Sequence, residues 1–115
     1  MDERLEKAVE FSNYMVTLEN QKRILKEQYY ESLICYHNKG QFTIDRNMIS
    51  FLHTLINSNQ TEAVLIDDNE LPIQIEDLRT FTVEVQNQFF QAANKYLLEF
   101  NKLISSRSVK GLLDL

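Results

Sequence analysis

Glycine and proline are almost absent from this chain: Gly40, Gly111 and Pro72 are the only three in 115 residues. A chain with so few residues that permit or force a turn is free to run in long helices. Two segments use that freedom. Residues 2–39 contain neither glycine nor proline, and neither do residues 77–106. The length suits one domain, residues 1–115, and a charged fraction of 25% is that of a folded globular protein.

The first segment reads as one helix over 2–39. Asp2 stands at the N-cap, and Glu3 and Glu6 favour the positive end of the helix dipole. Gly40 sits where a left-handed C′ residue would close the helix, with His37 and Lys39 in the last turn. Ala8, Phe11, Met15, Leu18, Leu25, Tyr29 and Tyr36 follow three- and four-residue steps, interrupted by Lys22 and Ser32. That is a heptad-like seam in search of a partner helix. The C-terminal segment offers one. Leu78, Phe89 and Phe100 are eleven apart, as are Phe81, Ala92 and Leu103, a repeat suited to a nearly straight pairing. Its polar face is rich in amides, among them Gln86, Asn87, Gln91, Asn94 and Asn101. Leu97, Leu98 and Ile104 widen the apolar stripe beyond one seam, which implies more than one neighbour.

Between the two lies a compact middle section. Residues 41–44 are β-prone, and Asp45 can cap a helix over 46–57 with Met48, Ile49, Leu52, Leu55 and Ile56 on its apolar face. Residues 63–66 and 71–75 read as the arms of a hairpin around Asp67-Asp68-Asn69-Glu70, with Asp68-Asn69 tolerating the positive φ of its turn. The expected fold class is α+β and mainly helical. A long antiparallel pair of N- and C-terminal helices carries a central strand, helix and β-hairpin in a winged-helix-like element.

No residue pattern for catalysis stands out. Nucleophile-elbow, Walker, dinucleotide-binding and zinc-protease motifs are missing, and two glycines cannot build a phosphate-cradling loop. Asp67 to Glu70 lack the glycine and the ligand spacing of a calcium loop, so a solvated turn is expected. His37, His53 and the lone Cys35 are too few and too scattered for zinc. Cys35 between Ile34 and Tyr36 reads as a packed hydrophobe, and it permits no internal disulfide. No catalytic, cofactor-binding or metal-binding residue is therefore assigned, and no cofactor is expected.

Twelve basic against seventeen acidic residues give a net charge of −5, which disfavours nucleic acid as a partner. Arg46 alone serves a would-be recognition helix at 45–57, and the wing tip would carry Asp67, Asp68 and Glu70, an arrangement DNA repels. The N-terminus lacks the apolar region of a signal peptide, and no apolar run suffices to span a bilayer. The seam implies self-association instead, through Phe11, Met15, Leu18, Leu25, Phe89, Tyr96 and Phe100. A second contact is offered by Leu112, Leu113 and Leu115, apolar residues near the C-terminus that fit either a fold-back onto the core or a partner-binding tail loosely similar to sliding-clamp peptides.

Residues 1–8, Phe42-Thr43-Ile44, Leu65-Ile66-Asp67-Asp68-Asn69 with Pro72-Ile73, and Ser106-Arg107-Ser108-Val109-Lys110 together resemble small proteins of T-even-like phages of marine bacteria. The resemblance brings no site residues with it. It implies an accessory or virion-assembly role, in the cytoplasm of an infected bacterial cell or in the virion. The leading expectation is a non-enzymatic, homo-oligomeric interaction protein. The alternative is a winged-helix-like regulator of transcription or replication machinery acting through the tail.

Overall fold

The computed structural model describes residues 2–106, and the backbone through residue 114. The elements run α1 (Glu3–Glu31), β1 (Ile34–His37), β2 (Gly40–Thr43), α2 (Arg46–Asn57), β3 (Ala63–Ile66), β4 (Pro72–Ile75) and α3 (Leu78–Asp114). The fold is α+β and mainly helical, with N- and C-terminal helices that pack together. The chain divides into two compact units. One holds residues 1–29 and 94–115, and the other holds residues 30–93.

The helical unit is an antiparallel pair. Tyr29 of α1 stacks on Tyr96 of α3 with ring centroids 4.9 Å apart. Gln21, Ile24 and Leu25 line a cleft with Glu99, Lys102, Leu103 and Ser106, so residue numbers rise on one helix as they fall on the other. Asp2 caps α1 as its sequence position suggests, its Oδ1 accepting from the Arg4 amide at 3.0 Å. Leu18 is the one residue of α1 that is buried.

Helix α1 ends at Glu31, eight residues short of the expected 2–39. Ile34-Cys35-Tyr36-His37 leaves the helix as β1 and pairs antiparallel with β2, His37 opposite Gly40. The turn between them is Asn38-Lys39, with φ of 47° and 68°. Positive φ at both central residues is the signature of the tight hairpin turn that matches strand twist. So His37 and Lys39 belong to a hairpin and not to a helix terminus, and Tyr36 lies outside the seam on an exposed strand position. Two side-chain bonds compensate the early helix end. Gln88 Nε2 donates to the carbonyls of Ser32 and Ile34, each at 2.9 Å.

Gly40 is required for a different reason from the one its position suggests. No glycine of the described residues has positive φ. A Cβ at Gly40 would instead stand 2.5 Å from Ile73 Cγ1 and 2.9 Å from its Cδ1. Ile73 is itself buried.

The remaining elements of the central unit follow the sequence closely. Asp45 caps α2, its Oδ1 accepting from the Met48 amide at 2.7 Å. Leu52 is fully buried, while Met48, Ile49, Leu55 and Ile56 are half-buried around it. Strands β3 and β4 pair antiparallel with Leu65 opposite Ile73. Ile73 and Ile75 face the core, but Leu71 precedes the strand and is exposed. The strands form two separate two-stranded sheets, so the expected single strand at 41–44 is one arm of a second hairpin. Asp77 caps α3, accepting from the Thr80 amide at 3.1 Å and the Thr80 hydroxyl at 2.8 Å. The core of this unit gathers Leu33, Phe42, Ile44, Leu52, Ile75, Leu78, Phe81 and Val85. At its C-terminal end α3 continues through Gly111 to Asp114. One glycine costs a helix only about 1 kcal/mol, too little to end it alone.

Gly40→Ala is expected to destabilise the protein by about 1–3 kcal/mol, the usual cost of forcing a methyl into a packed core. Urea unfolding followed by far-ultraviolet circular dichroism measures it. Pairing the change with Ile73→Ala, which clears the contact, is expected to reduce the added cost.

Candidate functional site

Among the described residues, three places bring polar or reactive groups together, and each has a definite physical role.

The first is the loop between β3 and β4. Asp67 is buried, at 6% exposure. Its Oδ1 accepts from the backbone amides of Asn69 at 3.0 Å and Leu71 at 2.8 Å, and its Oδ2 accepts from the Gln41 amide at 3.0 Å. Asp68 continues along the same edge of β2. It accepts from the Thr43 amide at 3.1 Å, the Thr43 hydroxyl at 2.6 Å and Gln41 Nε2 at 3.2 Å, while its own amide donates to the Gln41 carbonyl at 2.8 Å. The loop is thus a clamp on β2. Its positive φ falls on Glu70, at 63°, and not on Asp68 or Asn69. The solvated turn expected here is half right: Asn69 and Glu70 are exposed, but Asp67 is sealed against the sheet. With their oxygens committed to N–H and O–H donors, these carboxylates are poorly placed to ligate a cation, and no group of three His, Cys, Asp or Glu able to hold a metal occurs among the described residues.

The amides of Leu71 and Gln41, with Asn69, hold the Asp67 carboxyl below the usual carboxylate range, outweighing the effect of its burial. The Thr80 amide and hydroxyl lower Asp77 in the same way. A carboxyl depressed in the folded state contributes stability above its unfolded pKa, and that contribution is lost as pH falls through the folded pKa.

The second place is a cleft of about 310 Å³ lined by Cys35, His37, Phe81, Glu84, Val85 and Gln88, with Ile34 and Tyr36. The His37 ring lies 4.9 Å from the Phe81 ring. A cysteine beside a histidine invites comparison with a nucleophile–base pair, which requires a depressed thiol pKa. Here burial pushes the Cys35 thiol up, and the charges of Asp68 and Glu84 add to it, to about 11. The thiol is kept protonated, as its reading as a packed hydrophobe implies. The other histidine, His53, is exposed, and its Nε2 lies 2.8 Å from Gln86 Nε2.

The third is the cleft of about 540 Å³ between α1 and α3 in the helical unit. Leu25 and Leu103 are among its apolar lining residues. The Lys102–Glu99 pair, at 3.8 Å, also lines it, an exposed contact of little energetic weight.

The residues expected at an oligomer interface are distributed unevenly. Phe11 and Met15 are exposed, Leu18 is buried, and Leu25, Phe89, Tyr96 and Phe100 are half-buried. Tyr96 is held between Tyr29 and an edge-on Phe100, whose centroid is 6.2 Å away. The chain therefore uses much of the seam for its own helix pair. Other apolar residues are left outside: Leu5, Val9 and Val16 on α1, and Val83, Phe90, Leu97 and Leu98 on α3. Of the tail residues, Leu115 and the side chains of Leu112 and Leu113 lie outside the described residues. No helix of the described residues is long and apolar enough to cross a membrane.

No family model matches the chain, and neither the curated proteins nor the solved structures contain a significant match to it.

Two measurements follow. The urea midpoint is expected to stay level from neutral pH down to about 5 and to fall below about 4, where Asp67 and Asp77 take up protons; Asp67→Asn is expected to flatten that fall, and an unchanged acid slope would contradict the clamp. Alkylation of Cys35 by iodoacetamide at mildly alkaline pH is expected to be at least about tenfold slower in the native protein than in urea, since a two-unit rise in pKa lowers the thiolate fraction roughly a hundredfold.

Proposed function

We propose that this protein acts by association with a second copy of itself, as a non-enzymatic interaction module. The observation that carries this reading is the outside of its long helices. On α1, Leu5, Val9 and Val16 are 53%, 49% and 58% exposed. At about 100° per residue they form a row nearly opposite the seam of Leu18 and Leu25 that faces α3. On α3, Leu97 and Leu98 are equally open, at 59% and 55%. A helix with apolar residues on two opposed faces has one more face than a two-helix pair can cover. Fully burying each such side chain is worth roughly 1.5–3 kcal/mol, so covering several of them is a sufficient drive for association.

The chemistry of the polar sites supports the same reading. The Asp67–Asp68 carboxylates are committed to holding β2, and the Cys35 thiol is protonated. Neither is poised to act on a substrate. The net charge of −5 and the acidic loop at Asp67, Asp68 and Glu70 argue for a protein partner over nucleic acid.

Sedimentation equilibrium over the micromolar range is expected to show a mass of at least two chains with concentration-dependent dissociation. A single-chain mass throughout would overturn the proposal.

A further inference from the structure

Helix α3 presents two different rows along its length. One faces its own chain: Leu78, Phe81, Val85 and Ala92 are buried. The other is open and follows its own period. Val83, Phe90, Leu97 and Ile104 are spaced by seven, and Asn87, Asn94 and Asn101 are spaced by seven between them. Taken together these positions alternate by four and three over three heptads, which is the a/d seam of a coiled coil, with asparagine at a and apolar residues at d. Val83, Phe90 and Leu97 are more than half exposed, the three asparagines are exposed, and Ile104 is half-buried.

Resting on the reading of self-association above, we propose that the occupant of this row is α3 of a second copy, lying parallel and in register. Three features select that partner. First, an asparagine amide both donates and accepts, so it is complementary to another copy of itself. In a parallel, in-register pair every a position meets its own counterpart, and each asparagine finds an amide. In an antiparallel pair a would meet d, and the amides would be buried against Val, Phe and Leu without partners. Second, the flanking e and g positions from Gln86 to Ser105 are uncharged: Gln91, Leu98 and Ser105 on one side, Gln86, Ala93 and Phe100 on the other. Two chains of charge −5 can therefore approach along this face without repulsion at the contact. Third, the charged flanking residues are Arg79 at g and Glu84 at e, five apart. Five residues is the offset at which g of one helix meets e of the other in a parallel pair, the contact that sets partner and orientation. Both are exposed, and neither takes part in an ion pair among the described residues. The pair forms twice by symmetry, Arg79 to Glu84 in each direction.

Charge exchange tests this directly. Arg79→Glu or Glu84→Arg alone sets like charges across the pair twice and is expected to raise the dimer dissociation constant about fivefold. The double exchange R79E/E84R is expected to return it to within about twofold of the parent. Independently, Leu97→Cys in a Cys35→Ala background is expected to form a covalent dimer on oxidation with copper–phenanthroline, because in-register d positions face each other. A dimer by sedimentation that neither rescues on charge exchange nor cross-links at position 97 would overturn the parallel α3 pair while leaving self-association in place. A single-chain mass would overturn both.

Discussion

The carboxylates of Asp67 and Asp68 are the contact on which the central unit depends. Two-stranded hairpins are marginal by themselves, since each has one partner strand and two open edges. This chain has two, and it joins them by a loop that bonds to the outer edge of β2. Asp67 is shared between the amides of its own loop and the Gln41 amide, and Asp68 takes the Thr43 amide and hydroxyl. Asn38 adds a bond from the first turn to the Gln74 carbonyl at 2.6 Å. The close approach at Gly40 and Ile73 is the apolar counterpart of these bonds. Charge-assisted bonds to backbone donors are stronger than neutral ones, and among the described residues no buried side-chain polar atom lacks a partner.

That arrangement also occupies the oxygens of both carboxylates. Burial raises the pKa of the Cys35 thiol, and the charges of Asp68 and Glu84 add to it, the opposite of what a nucleophile needs. Of the groups that a sequence scan flags as possible ligands, Asp67 and Asp68 are the ones that hold the hairpins together. The helices also keep apolar and amide residues exposed, among them Phe90, Asn94, Leu97 and Asn101. Aromatic stacking of Tyr29 on Tyr96 occupies one face of α3 in the helical unit and leaves the row through Asn94, Leu97 and Asn101 outside.

The parts legible in the sequence are those decided by short-range chemistry. Asp2 and Asp45 cap their helices because a carboxylate two or three residues ahead of an unpaired amide bonds it in any context. The 63–75 hairpin and the amphipathic 46–57 helix are written in their own periodicity. The first hairpin was hidden, because Ile34-Cys35-Tyr36-His37 continues a helical seam through Tyr36 as readily as it forms a strand. What decides for the strand lies outside the segment itself: Phe42 and Ile44 of the neighbouring arm buried in the core, and the distant Gln88 taking up the carbonyls of Ser32 and Ile34. Of the candidate site, the lack of catalytic motifs was visible, whereas the burial of Asp67 was not, since nothing local distinguishes it from Asp68.

The sequence by itself determined long helices, their caps, one hairpin and an acidic surface, all consequences of backbone freedom, local hydrogen bonding and composition. Only the tertiary structure decided where α1 stops, why Gly40 must lack a side chain, and which apolar residues of the helices are consumed within the chain. Those outcomes turn on contacts between residues tens of positions apart, and periodicity within one segment carries no information about the shape and chemistry of the segment it will meet.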